Sequence, residues 1–194
     1  MSRLPEAYRD DLRSAVDTLR RGGVIIYPTD TIWGIGCDAR DSAAVHRIYD
    51  IKRRADSKAL ITLVDSMPML ERAIDGEIPD AAEQLIDVAV SPLTIIYDKG
   101  RGVAPELLAD DGSIAIRLTR EPFSAALCRG LGAPVVSTSA NISGCPAPAI
   151  FADIDQAVLA AADYVCLSRR DEGIPASPSS IIKVGAGGLI RIIR

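Results

Sequence analysis

Histidine is almost missing from this sequence: His46 is the only one in 194 residues. A Ser-His-Asp or Cys-His mechanism needs an imidazole set in a site. His46 instead falls in Ser42-Ala-Ala-Val-His-Arg-Ile-Tyr49, which reads as an amphipathic helix, and is expected at its surface or boundary. Cysteine is also scarce. Cys37, Cys128, Cys145 and Cys166 are widely spaced and form no CxxC pair, so no zinc cluster is indicated and buried reduced thiols are expected. No GxxxxGK[ST] string occurs, so a nucleotide has to be held without a Walker-type loop. Basic excess is lacking as well: net charge is -4 and pI about 5.1, and aromatics make up 4% of the chain. Both features count against a nucleic-acid-binding module as the primary role, although a local basic patch is compatible with them. The polar start, Met1 to Asp11, has no apolar core of a signal peptide, and no run is long enough to span a membrane. A cytosolic, membrane-free protein is expected.

What is present is ordinary for one globular domain with a sizeable core: 48% hydrophobic and 25% charged residues over the whole of 1–194. Tyr8, Leu12, Ala15, Val16 and Leu19 recur at helical spacing, predicting a helix over 6 to 21 that Gly22-Gly23 stops. Further helices are predicted over 42–51, 67–75, 79–89, 121–129 and 153–162. Short apolar runs predict strands at 24–27, 32–37, 60–64, 93–97, 113–118, 134–137 and 164–167, with a closing hairpin of 179–184 and 189–193. Strands and helices alternate, but some connections are too short for a helix. The expected fold is therefore α/β, a twisted mixed sheet with flanking helices.

Four polar clusters fall at predicted strand ends, where α/β proteins present ligand-binding side chains. Tyr27-Pro-Thr-Asp-Thr31 places small hydroxyls and a carboxylate after an apolar strand. Lys52-Arg-Arg-Ala-Asp-Ser-Lys58 carries four cations, suited to phosphate. Ser137-Thr-Ser-Ala-Asn-Ile-Ser-Gly144 offers hydroxyls, an amide and backbone N–H groups on a polar turn. Ser177-Pro-Ser-Ser180 opens the last hairpin. Each alone equally fits a turn or a solvated loop. Arg117 and Arg194 add cations in or at the end of strands. An arginine among apolar neighbours needs an anionic partner, either a ligand or a structural carboxylate.

Taken together these clusters resemble the YrdC-like threonylcarbamoyl-adenylate synthases. Gly23-Val-Ile-Ile-Tyr-Pro-Thr-Asp-Thr-Ile-Trp-Gly-Ile-Gly36 resembles the family's opening signature. Lys52-Arg-Arg54 with Lys58 is similar to its K-x-R-x-x-x-[KR] motif, and Ser137 to Gly144 to its S-x-N loop. Ser179-Ser-Ile-Ile182 resembles the S-T-I strand, and Ile193-Arg194 the arginine ending the next one. The signals run from residue 23 to 194 in the family's order. Three departures stand out: Ala59 where proline is common, Val90-Ser91-Pro92-Leu93 in place of a fuller WPG-P-L segment, and Leu63 where some relatives carry a histidine near threonine. The chain also ends at Arg194, without the extra C-terminal domain of longer relatives.

The resemblance implies a sheet wrapped around a positively charged cavity, and ATP, L-threonine, bicarbonate and a divalent metal such as Mg2+ as ligands. It implies ATP contacts from Arg54, Lys58, Ser113, Arg117, Asn141 and Arg194. Threonine contacts are implied from Thr31, Ser139 and Ser179, and a catalytic role for Lys52 and Arg54 on phosphate or carbamate charge. A transient tRNA contact, or a downstream tRNA threonylcarbamoyl transferase, would take the product. The chemistry suits the residues: charge developing on phosphate oxygens is stabilised by fixed cations and needs no histidine. Two alternatives stay open at this point, an RNA-binding module and a paralogue with another carbamoyl-transfer or nucleotide-binding role.

Overall fold

A computed structural model describes residues 6–53, 60–172, 178–185 and 188–194. Nine strands form one sheet: β1 (Ile25–Tyr27), β2 (Gly34–Gly36), β3 (Ile61–Val64), β4 (Leu93–Tyr97), β5 (Ile114–Leu118), β6 (Val135–Ser139), β7 (Tyr164–Val165), β8 (Ser180–Val184) and β9 (Ile190–Ile192). Their order is β7-β1-β2-β6-β3-β5-β4-β8-β9. The β1–β7, β3–β5 and β4–β8 pairs are parallel and the other five antiparallel, so the sheet is mixed as expected. Six α-helices accompany it: α1 (Arg9–Arg20), α2 (Ser42–Lys52), α3 (Met67–Ala73), α4 (Asp80–Val88), α5 (Pro122–Leu131) and α6 (Gln156–Ala161).

Local chemistry sets the helix ends. The Asp41 carboxylate accepts from Ala44 N at 3.1 Å and starts α2. Glu121 accepts from Phe123 N at 3.0 Å and Ser124 N at 2.6 Å, with Pro122 at the first helical position of α5. Gly132, at φ 73°, closes that helix in the left-handed conformation that glycine adopts without penalty. Arg53 takes the same role after α2 at φ 48°, a costlier choice for a residue with a Cβ. One prediction needs correction. The polar segment expected to turn from Ser137 onwards stays in strand to Ser139, because β6 continues pairing: Ser139 sits opposite Gly34 and Ser137 opposite Ile61.

The register sorts side chains onto two faces. Val136, Thr62, Ile116, Ile95 and Ile182 form one cross-strand row, all buried. Gly34, Ser139, Ser137, Ile61, Leu63 and Arg117 share the opposite face. There Leu63 and Val135 are fully buried, with the Cys128 thiol of α5 3.5 Å from Leu63 O. Beyond them the face opens, and the serines and Arg117 look into a cavity. Three of the four thiols are buried as expected, and burial pushes that of Cys128 up to about 12. Cys145 departs from that expectation. It lies exposed in the loop after β6. The His46 side chain is about half exposed, with Nδ1 2.9 Å from Ser42 O, as a helix-surface residue should be.

Candidate functional site

The cavity measures about 530 Å³, within the range of small-molecule sites. Thr29, Thr31, Ser137, Thr138, Ser139 and Ser179 line it with hydroxyls, Arg117 and Arg194 with guanidinium groups, and Ile32, Leu60, Ile61 and Ile181 with apolar surface. No Asp or Glu stands among the described lining residues.

The turn after β1 is shaped by one hydroxyl. Thr29 Oγ1 donates to Ile32 O at 2.6 Å and accepts from Thr31 N at 3.1 Å and Ile32 N at 3.2 Å. It also lies 3.0 Å from Thr31 Oγ1. Thr31 is thereby held with its side chain at the cavity. Arg169 braces the turn from outside, its Nη1 3.3 Å from Thr29 O and 3.0 Å from Glu121 Oε1. On the far wall Ser179 Oγ meets Thr94 Oγ1 at 2.9 Å, and Arg194 Nη2 donates to Ser179 O at 3.1 Å.

Arg117 is the charge at the cavity floor. Its side chain is 4% exposed, and it faces Asp30, whose Oδ1 lies 3.4 Å from Nη2. Arg117 Nε and Asp30 Oδ1 are both buried without a hydrogen-bond partner. A buried guanidinium N–H left unpaired is costly, and an anion in the cavity would satisfy it. From the sequence Asp30 was named only as the carboxylate of the Tyr27–Thr31 cluster, without a role of its own. Its importance rests on a partner far along the chain, which no local motif reveals. Asp30 also lines a second hollow of about 290 Å³ with Val90, Ser91, Pro92, Leu93 and Glu121, so the Arg117–Asp30 pair separates the two.

The sequence-predicted residues distribute unevenly. Thr31, Ser139, Ser179, Arg117 and Arg194 meet on the one cavity. Ser113 does not line it. It precedes β5, four residues from Arg117 and therefore roughly 13 Å along the strand. Its hydroxyl serves Asp111, whose carboxyl is held at about 2 by hydrogen bonds from Ser113 and then Lys183. Asn141 lines a neighbouring hollow with Ile142, Cys145 and Pro146, its Nδ2 donating to Cys145 O at 2.6 Å. Lys52 is 2% exposed and absent from the described lining. Leu63, at the position where some relatives carry histidine, is buried beside Arg117 and does not reach the cavity. Arg54, Lys58 and Ala59 lie outside the described residues.

No group of three or more His, Cys, Asp or Glu able to hold a metal occurs among the described residues. No described helix is long and apolar enough to cross a membrane.

The family model Sua5_yciO_yrdC, described as "Telomere recombination", matches residues 17–194. The threonylcarbamoyl-AMP synthase of Xanthomonas euvesicatoria is 38% identical over 184 residues, covering 93% of this chain and 97% of that protein. The corresponding protein of Xanthomonas campestris is 39% identical with the same coverage. The structure of P. abyssi Sua5 complexed with L-threonine superposes with a TM-score of 0.83 at 26% identity over all of this chain. The chain spans only 55% of that longer protein. E. coli YciO shares the fold, with a TM-score of 0.82 at 24% identity, over 99% of this chain and 91% of its own.

Proposed function

The chain belongs to the Sua5–YciO–YrdC family, and from that premise we propose that it is an L-threonylcarbamoyladenylate synthase. It condenses L-threonine, bicarbonate and ATP into threonylcarbamoyl-AMP and pyrophosphate, in the class of nucleotidyltransferases. Curated relatives at 38–39% identity over nearly their whole length carry that name. The one observation that supports the reading most is Arg117. It is a buried cation with an unpartnered Nε, set in a cavity with no Asp or Glu among its described lining residues, beside the hydroxyls of Thr31, Ser139 and Ser179.

In this reading threonine lies against Thr31, Ser139 and Ser179, whose hydroxyls can both donate and accept. Its amine attacks the bicarbonate carbon, forming the N–C bond of a carbamate with loss of water. A carbamate oxygen then attacks the α-phosphorus of ATP. The bond from that phosphorus to the β-bridging oxygen breaks, and pyrophosphate leaves. Arg117 and Arg194 face the phosphate charge from the cavity wall. Arg117 is already buried there, so stabilising that charge requires little reorganisation, and by their motif Arg54 and Lys58 would add to it. A divalent ion such as magnesium, bound with the nucleotide, would supply further charge neutralisation on the phosphates. Leu60, Ile61 and Ile181 give the cavity an apolar wall beside the carbamate. We read residues 1–194 as one domain carrying the complete site, in a cytosolic setting that its four free thiols suit. The product would pass to a transferase acting on tRNA, with tRNA itself at most a transient contact.

The test is pyrophosphate release from ATP and Mg2+ with bicarbonate, measured with and without L-threonine. Release that rises with threonine, saturates, and is not reproduced by valine supports the proposal. Equal release in both conditions overturns it.

A further inference from the structure

Lys52 ends α2, two residues before Arg54. By motif it belongs with the phosphate-binding cations, yet its ammonium is turned into the protein. Nζ donates to Ser139 O at 2.5 Å, to Asn141 O at 2.8 Å and to Asn141 Oδ1 at 3.3 Å. Its own carbonyl accepts from Ser143 N at 2.8 Å. One residue thus grips the end of β6 and the loop after it at three positions. The rest of that loop is tied consistently: Ala140 N donates to Trp33 O, Asn141 N to Ser139 O, and Asn141 Nδ2 to Cys145 O. An ammonium among carbonyl oxygens is charged and strongly held. A buried charge earns such a place only where its hydrogen bonds are met.

We propose that Lys52 is a positioning residue for the synthase reaction and not a phosphate contact. Its buried ammonium gathers the Ser139 and Asn141 carbonyls inward and so aims the Ser139 hydroxyl into the substrate cavity. The inference rests on the reading of that cavity as the threonine and ATP site. Because Ser139 lies on the same face as Gly34 and Ser137, a small rotation of the strand end moves its hydroxyl relative to Thr31 across the cavity. The loss should therefore be felt in how the amino acid is read, more than in the strength of attraction for triphosphate.

Two measurements test this, one of which needs no variant. The chain has four lysines, Lys52, Lys58, Lys99 and Lys183. In the 15N spectrum of the lysine ammonium groups, Lys52 of the ligand-free wild type should give a signal protected from solvent exchange. Adding ATP should leave that signal in place. A Lys52 signal that is exchange-broadened in the free protein and sharpens only with ATP overturns the proposal, whatever the enzyme's activity. The second measurement compares wild type, Lys52→Met and Lys52→Arg for threonine-over-serine selectivity in pyrophosphate release. One methyl group is read by roughly 10–200-fold; Lys52→Met should erode that ratio by about tenfold, and Lys52→Arg should restore part of it. The salt dependence of the ATP KM should stay as in wild type. Simple loss of folded protein lowers all rates and leaves the selectivity ratio unchanged, and that outcome refutes the positioning role. A raised ATP KM with flattened salt dependence and intact selectivity refutes it in favour of a phosphate contact. Absence of threonine-dependent turnover in wild type refutes the functional reading instead, and the protected signal still reports on the clamp.

Discussion

Replacing Asp30 by asparagine should make ATP a better stabiliser of the protein while making the ligand-free protein weaker. Asp30 and Arg117 are opposite charges 3.4 Å apart. At an effective dielectric near 20, that separation corresponds to a gross attraction of about 5 kcal/mol. Much of it offsets the desolvation of a guanidinium that is 96% buried, and removing one partner of a buried pair costs about 3–5 kcal/mol. The Asp30 side chain is 24% exposed, which lowers the expected loss to about 2–3 kcal/mol. For a chain of this size that is a fall in Tm of about 4–12 °C. Phosphate entering the cavity then meets a cation with no competing carboxylate, and its unpartnered Nε besides. The increase in Tm on adding saturating ATP with magnesium should thus be larger for Asp30→Asn than for wild type, recovering part of the deficit by linkage. Arg117→Met should show the reverse: almost no ATP-dependent rise. The Arg117→Met, Asp30→Asn double variant should be more stable without ligand than Asp30→Asn alone, since neither charge is left stranded. Differential scanning fluorimetry over an ATP series measures all of this. An ATP-dependent rise no larger in Asp30→Asn than in wild type would refute the view that Arg117 points an unpaired donor at phosphate.

Other consequences can be checked alongside. Thr31→Val keeps the shape and removes the hydroxyl, leaving a substrate polar group unpaired at a cost of about 1–3 kcal/mol; the threonine KM should rise while the ATP KM moves little, and an unchanged threonine KM removes Thr31 from the site. Arg54→Ala should lower threonine-dependent pyrophosphate release by about 10²–10³-fold with little change in Tm. Its control is Arg53→Gly, since the left-handed φ of 48° at Arg53 favours glycine and should leave activity intact and stability equal or higher. Burial raises the Asp11 pKa, but hydrogen bonds from Ser168, Leu167 and Tyr164 together hold it below its ordinary 3.8. A depressed carboxylate stabilises the fold above its unfolded pKa, and the contribution is lost as pH falls through the folded value. Asp11→Asn should therefore lose stability at pH 7, and denaturant titrations should show its deficit shrinking below about pH 4; a deficit that persists undiminished into acid contradicts the hydrogen-bond account.

The strands were legible because each is a short apolar run fenced by glycine, proline or small polar residues, as in Val24-Ile-Ile-Tyr27 before Pro28. Helix ends were legible where a cap carries its own chemistry, as Asp41 and Gly132 do. Polar strand ends were not. Ser137-Thr-Ser139 has the composition of a turn, and only pairing with Ile61 and Gly34 keeps it extended. Thr31, Ser139, Ser179, Arg117 and Arg194 were picked out by motif, and the fold brings all five to one cavity. The pairing of Asp30 with Arg117 was not legible in the Tyr27–Thr31 cluster, because its partner is far along the chain. Lys52 shows the opposite limit. Its place in a basic motif suggests phosphate, and only the fold reveals that carbonyls of the loop after β6 surround it. Ser113 was placed among the ATP contacts by the resemblance alone; it stands roughly 13 Å along the strand from Arg117 and outside the described lining of the cavity.

The central claim is the identity of the product, and one labelling experiment addresses it most directly. The protein is incubated with ATP, Mg2+, 13C-bicarbonate and 15N-L-threonine, and the small molecules are separated at once and weighed by mass spectrometry. The account predicts a single new adenylate carrying one 13C and one 15N, formed in step with pyrophosphate and lost when Arg117 is replaced by methionine. Pyrophosphate or AMP formed without a doubly labelled adenylate, or an adenylate carrying threonine without the bicarbonate carbon, would contradict it.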